Sequence, residues 1–236
     1  MNKRTVLFVP GTLMSATSFD AVQRCPTLQG SNVVYENVEW MRDVPMCDIP
    51  KAAEHLAARI RRVKSPAVLV GHSTGGCIAA FTAIHYPELV SGLVLLNSGP
   101  NMTGHGAVEQ ILTVLEGTQS PETWEMLASK NVSEGSPRRW IDEMIEFSET
   151  IGPRSASTIL QSQAEIDLLS HCNSSTVGVE ILHGILDEKR SPDDAERWLA
   201  VFPRASIRYI DDCGHSPQLE APSAVANAIS NLVAAC

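Results

Sequence analysis

Apolar residues recur along this chain in two rhythms. Runs of strand type occupy residues 4–9, 31–40 (around Val33-Val34-Tyr35 and Val38), 66–70, 89–96, 177–183 and 205–210. Those at 4–9 and 89–96 are apolar nearly throughout, as in strands covered on both faces. Helical spacing fills the intervals. Residues 49–63 place Ala52, Ala53, Leu56, Ile60 and Val63 on one stripe, with Asp48 as cap and Pro50 early in the helix. Further helices are predicted over 19–28 (capped by Thr17 or Ser18), 77–86, 192–202 and 222–235. From 101 to about 173 the strand rhythm stops, and four helices are predicted over 107–115, 121–130, 137–149 and 153–171. Ser120 and Ser136 offer caps there, and Trp124, Trp140, Met126, Met144 and Phe147 supply bulk. Strands alternating with helices imply an α/β fold, a doubly wound, mostly parallel sheet of about six strands. Residues 1–100 and 173–236 form its core, and 101–172 form an inserted helical cap.

With 236 residues, 44% of them hydrophobic, the chain can bury one large core. Its charge of −9, from 18 basic and 27 acidic residues without a basic run, argues against nucleic-acid or anionic-membrane partners. Six scattered cysteines show neither a C-x-x-C nor zinc spacing. Lys3-Arg4 and the apolar run after it end at Pro10-Gly11, too soon for a secretory leader. No stretch is long enough for a membrane span. These features predict a cytoplasmic protein, monomer or homodimer, acting on a small molecule.

The chemistry centres on Gly71-His72-Ser73-Thr74-Gly75-Gly76, which follows a strand and opens a small-residue helix. Gly-x-Ser-x-Gly in that setting is a nucleophile elbow: a tight strand-to-helix turn lifts the serine hydroxyl above the sheet. Functional residues of such sheets gather beyond the carboxyl ends of strands. Those ends supply Pro10–Ser15, Gly71–Gly75, His183–Asp187 and Asp212–His215, hence the order Ser73, Asp187, His215. Ser73 needs a base to take its proton. His215 has the right basicity, and Asp187 would fix its tautomer. Thr74 N–H is one oxyanion donor, and Thr12, before Leu13, is the best second. Asp187 lies in the charged run 187–190, which taken alone reads as solvated loop. His72 reads as a packing residue, His183 as a weaker base, and His105 as surface. Asp211 and Asp212 lie too close to His215 in sequence to reach behind its ring.

Val9-Pro10-Gly11-Thr12, the elbow, His183-Gly184-Ile185-Leu186-Asp187 and Gly214-His215-Ser216-Pro217 together resemble the α/β-hydrolase superfamily, in its compact esterase, lactonase and carbon–carbon hydrolase branch with a helical cap. The resemblance spans essentially the whole chain. It implies nucleophile Ser73, acid Asp187, base His215 and oxyanion donors Thr12 and Thr74. Two departures stand out: Pro10-Gly11 replaces the family's His-Gly, and Glu39-Trp40-Met41-Arg42-Asp43 replaces its usual glycine-rich loop after the next strand. Serine rather than aspartate at 73 argues against the dehalogenase and epoxide-hydrolase branches.

The expected function is a serine hydrolase that cleaves an ester, thioester or lactone of a small, largely apolar substrate through an acyl-serine, with no cofactor and no metal. Met102, Ile111, Leu112, Leu115, Trp140 and Leu160 are candidate lining residues. The alternative is carbon–carbon hydrolysis or a lyase reaction on the same triad, although no lysine stands near His215 in sequence to favour a lyase. A non-catalytic small-molecule receptor is a third reading, disfavoured by the intact set of three residues.

Overall fold

Six strands emerge from the apolar runs: β1 Arg4–Val9, β2 Val33–Asn37, β3 Ala67–His72, β4 Val90–Leu96, β5 Gly178–Gly184 and β6 Ser206–Ile210. The structure, a computed structural model, describes residues 3–29, 32–103, 105, 108–117, 120–171 and 177–235. Among these residues the strands form one wholly parallel sheet in the order β2-β1-β3-β4-β5-β6. Eleven α-helices are described: α1 Asp20–Gln23, α2 Trp40–Asp43, α3 Ile49–Val63, α4 Thr74–His85, α5 Val108–Glu116, α6 Pro121–Ser129, α7 Arg138–Ile151, α8 Pro153–Glu165, α9 Pro192–Val201, α10 Pro217–Glu220 and α11 Pro222–Ala235.

The period-two alternation of side chains divides the core between the sheet's two faces. Val6, Phe8, Val68, Val70, Val94 and Leu96 face one layer, where Val22, Val225 and Ile229 cover them. Leu7, Val9, Leu69, Leu93, Leu95 and Ile181 face the other, against Leu56, Ile60, Ile78 and Trp198. Both faces are therefore dry, and the loops at the carboxyl ends of the strands are where the sheet is left open. The outer strands β2 and β6 have no fully buried residue.

Helices α5 to α8 lie between β4 and β5 in the chain, with no strand among the described residues of that stretch. The 172/173 boundary between cap and core, and Cys172 and Cys236, lie outside the described residues. Three local expectations change. The segment 19–28 is not one helix: α1 ends at Gln23 and a separate 3₁₀ turn runs from Pro26 to Leu28. Pro26 cannot donate to Val22, and its ring would clash with that carbonyl. The cap there is Ser15, which accepts from Thr17 N–H; Ser18 Oγ is buried without a partner. The predicted 153–171 helix stops at Glu165, because Asp167 caps a new turn through Leu169 N–H at 3.0 Å. Met126 is exposed, whereas Trp124, Met144 and Phe147 are buried as expected.

The β3–α4 turn is built on an absence of side chain. A Cβ on Gly75 would sit 2.1 Å from the Val9 carbonyl oxygen, and one on Gly71 would sit 2.4 Å from the Gly75 oxygen. Both obstacles are backbone, which cannot swing aside. Gly75→Ala should lower unfolding free energy by about 2 kcal/mol or more. Gly117→Ala, whose Cβ meets nothing closer than 3.5 Å, should change it by less than about 0.5 kcal/mol. Urea titration of the two variants checks the difference.

Candidate active site

Ser73 stands between β3 and α4 with φ 50° and ψ −117°, a conformation that L residues avoid. The strain is held on both sides. Ser73 N–H donates to Leu96 O at 2.9 Å, and Ser98 Oγ–H donates to Ser73 O at 2.8 Å, so the end of β4 grips the turn. Ser73 also precedes the first turn of α4, whose free N–H groups and partial positive charge point toward its hydroxyl.

Asp187 and His215 meet beside it. His215 Nδ1–H donates to Asp187 Oδ2 at 2.8 Å, which leaves Nε2 as the basic nitrogen. Asp187 accepts three more hydrogen bonds: Asn97 Nδ2–H at 2.6 Å, Lys189 N–H at 2.8 Å and Arg190 N–H at 3.2 Å. Its side chain is fully buried, so the solvated-loop reading does not hold for Asp187, although Glu188 beside it is exposed. Burial alone would raise its pKa, but the His215 ring and these donors hold the carboxyl well below the usual carboxylate range. His215 shows the opposite balance. Burial pushes its pKa below 6.5, against the pull of Asp187. Ser73 and His215 line the same cavity, yet no hydrogen bond joins Ser73 Oγ to His215 among the described residues. Such contacts often tighten only with substrate present.

The other histidines sort themselves by geometry. His72 Nε2–H donates to His215 O at 2.8 Å, and the two rings pack edge to face at 5.0 Å. It packs against His215 and holds that residue's backbone, as expected of a packing residue. His183 is buried against Tyr209 with both ring nitrogens unpartnered. His105 is not at the surface: it lines the cavity with Ser73, and burial pushes its pKa down to about 4.

Thr12 and Thr74 come together at the mouth of the elbow. Neither backbone N–H is taken up by an acceptor among the described residues. Their side chains form a chain across the site: Thr12 Oγ1–H donates to Thr74 Oγ1 at 2.8 Å, and Thr74 Oγ1–H donates to Gln163 Oε1 of α8 at 2.8 Å. The departures noted in the sequence face each other here. Trp40 Nε1–H donates to Pro10 O at 2.9 Å, and Glu39 Oε1 accepts from Ser15 Oγ–H at 2.7 Å and Ala16 N–H at 3.0 Å. The loop that lacks the family's histidine is thus braced by the segment that replaces the family's glycine-rich loop.

Three residues essential to this arrangement were not singled out from sequence. Asn97, with φ 42°, donates to Asp187 and to Gly214 O at 3.1 Å and accepts from Gly184 N–H at 3.1 Å, tying the β4, β5 and β6 loops together. Its signal was its place: a polar residue at the carboxyl end of β4. Glu220 accepts from Gly214 N–H at 2.9 Å, Ser216 N–H at 3.0 Å and Ser133 N–H at 3.1 Å. Lys189, two residues past the acid, folds into the cavity with Ser73 and His215. Its absence from the neighbourhood of His215 in sequence does not carry over to space.

That cavity has a volume of about 50 Å³. Of the six expected lining residues it includes Met102, Ile111 and Leu160. Leu115 and Leu112 pack into the core instead, and Trp140 packs beside Met14. An open groove of about 490 Å³ passes His215 and Gly214 on the α6–α7 side, and a pocket of about 140 Å³ adjoins at Ile111, Leu127 and Lys189. Among the described residues, no three histidine, cysteine or acidic side chains gather in a metal-binding cluster. No described helix is long and apolar enough to cross a membrane.

Comparison with known proteins agrees with this architecture. Protein ABHD8 of Bos taurus is 27% identical over 183 residues, which cover 73% of this chain and 41% of that protein. The chain therefore spans well under half the length of that relative. A pimeloyl-[acyl-carrier protein] methyl ester esterase of Aromatoleum aromaticum is 25% identical over 194 residues, covering 75% of this chain and 77% of the esterase. Among solved structures, a hydrolase from Oleispira antarctica superposes with a TM-score of 0.84 at 13% identity, covering 99% of this chain and 92% of its own. An esterase from Exiguobacterium antarcticum superposes with a TM-score of 0.83 at 16% identity, covering 98% and 92%. The model of the alpha/beta hydrolase family matches residues 6–228, and the chain belongs to that family.

Proposed function

We propose that this protein is a serine hydrolase that cleaves a carboxylic ester, thioester or lactone through an acyl-serine intermediate. The observation that carries the reading is His215, held 2.8 Å from buried Asp187, lining one cavity with a strained Ser73 beside two unpaired N–H groups. In the proposed mechanism His215 Nε2 takes the Ser73 proton as Oγ attacks the carbonyl carbon. The carbonyl π electrons move to oxygen, where Thr12 and Thr74 N–H groups stabilise the charge. Collapse expels the alcohol, which leaves with the proton held by His215. Water, deprotonated by the same nitrogen, then releases the acid. Asp187 remains ionised throughout, and its low pKa supports the imidazolium.

Helices α5 to α8, within residues 101–172, serve in this reading as a cap over the site. The support is Gln163 on Thr74 and the apolar wall supplied by Ile111, Leu127 and Leu160. Buried free thiols at Cys25, Cys47, Cys77 and Cys213 accord with the proposed cytoplasmic setting. The rival lyase reading would show as cyanohydrin turnover without an acyl-enzyme.

Intact mass after exposure to a fluorophosphonate, with hydrolysis of p-nitrophenyl acetate to octanoate, tests the proposal. One adduct and ester turnover should appear in the wild type and vanish in Ser73→Ala, with kcat lower by about 10³-fold or more. A folded wild type with neither adduct nor turnover would sink it. The pH profile follows from the base. Because His215 must be neutral to act and burial pushes its pKa below the ordinary 6.5, kcat/KM should rise with pH through a midpoint below 6.5. Asn97→Ala removes one charged hydrogen bond from Asp187 and leaves Ser73 in place. It should lower kcat by about 10- to 100-fold, which steady-state kinetics will measure.

A further inference from the structure

Lys189 is the one charged side chain in the reaction cavity that ester chemistry on the triad leaves without work. Its Nζ donates to Asn131 Oδ1, a neutral acceptor, at 2.6 Å. No carboxylate stands within 4.0 Å of it among the described residues. Asp187 is nearby in sequence, but its two oxygens already accept four hydrogen bonds. The adjacent Arg190 differs: its guanidinium pairs with Asp194 at 3.3 Å, and its charge is already answered. Burial, against the pull of the Asp187 charge, brings the pKa of the Lys189 ammonium down to about 8, so at neutral pH it is mostly a cation with no carboxylate in direct contact.

Position adds what charge leaves open. Lys189 borders both the cavity holding Ser73 and the 140 Å³ pocket behind it, and Ile111 and Leu127 border both as well. The pocket continues the cavity and has Lys130 as a second cation, with Glu188 as its acid. The wide groove shares Lys130 and Glu188 with this pocket, but of the two only the groove reaches His215. His215 returns its proton to the departing alcohol, so the groove is the exit for that arm. The pocket beyond Lys189 is left for the acyl arm.

Resting on the hydrolase reading, we propose that Lys189 and Asn131 form a subsite for a carboxylate on the acyl arm, so that the preferred substrates are half-esters of short dicarboxylic acids. A planar carboxylate suits an ammonium whose one hydrogen bond goes to a neutral amide, and it supplies the direct ion pair that Lys189 lacks. The expectation of a largely apolar substrate is narrowed accordingly: apolar walls with one anionic end.

The test compares mono-p-nitrophenyl glutarate with p-nitrophenyl pentanoate, equal in chain length and different in charge, on the wild type and on Lys189→Met. The wild type should favour the glutarate in kcat/KM by about tenfold or more, and Lys189→Met should lower that ratio by about tenfold. A wild-type ratio of one or below, or a ratio that survives Lys189→Met, overturns the proposal. Titration calorimetry of Ser73→Ala with glutarate and with 1,5-pentanediol keeps the subsite testable if Lys189→Met does not fold. Binding of glutarate alone supports it, and no binding of glutarate overturns it. A wild type that turns over neither ester, while Ser73→Ala binds glutarate, would sink the hydrolase reading and leave the subsite standing.

Discussion

The site depends on one close approach of backbone to backbone. The first turn of α4 lies so near the end of β1 that a single carbon on Gly75 would stand 2.1 Å from Val9 O and 2.4 Å from Pro10 O. This contact sets the distance between two loops that are far apart in sequence. The loop after β1 offers Thr12 N–H, and the elbow offers Ser73 Oγ and Thr74 N–H. Were the helix pushed back by a side chain's width, Ser73 Oγ and the two N–H groups would no longer converge on one point, as the proposed hydrolysis requires. Positional errors of that size weigh heavily, because hydrogen bonds weaken steeply with distance and angle. Trp40 and Glu39 brace the same loop from its far side, so its position is fixed by contacts on both flanks.

The second fixed point is electrostatic. A buried carboxylate is tolerable only when its lone pairs are filled. Asp187 fills them from four sources: the His215 ring, the Asn97 amide, and the N–H groups of Lys189 and Arg190. The backbone donors come from its own turn and orient the carboxylate. The side-chain donors come from β4 and from the loop after β6. One anion therefore draws three loops into register. Around it stand two cations: Arg190, matched to Asp194, and Lys189, matched to nothing acidic within 4.0 Å. That imbalance gives the cavity a positive end, and it helps keep His215 neutral at rest.

The fold and much of the site were legible in the sequence for a physical reason. Strand and helix rhythms record which side chains are dry, and the end-of-strand rule then points to the loops. Ser73, Asp187, His215, Thr12 and Thr74 were all readable as strand-end residues. What rhythm cannot record is which loops touch. Asn97 looks like any asparagine closing a strand, since the residue types that tolerate positive φ also populate ordinary turns. Trp40 and Glu39 read only as a departure from a familiar loop, because their partners Pro10 and Ser15 lie 30 and 24 positions away. Lys189 and His105 were misjudged for the same reason. A charged run and a lone histidine look solvated until the packing of α5 to α8 above them is known.

The way α5 to α8 are fastened decides how the cavity can grow. At about 50 Å³ it is much smaller than the 140 Å³ pocket that adjoins it, so a longer acyl arm has to draw on that pocket. On the α6–α7 side, Glu220 accepts from Ser133 N–H and Oγ–H while also holding Gly214 and Ser216 of the His215 loop. Hydrogen bonds to a charged group are worth about 1.5–3 kcal/mol each, so lifting that side costs several kcal/mol and disturbs the base as well. Helix α8 is tied through Gln163 to Thr74, so moving it disturbs the oxyanion loop. Helix α5 meets both spaces: Val108 and Ile111 line the cavity, and Ile111 also lines the adjoining pocket. Shifting α5 would exchange apolar contacts there for contacts with substrate, and it would join the cavity to the 140 Å³ pocket along the wall where Lys189 stands.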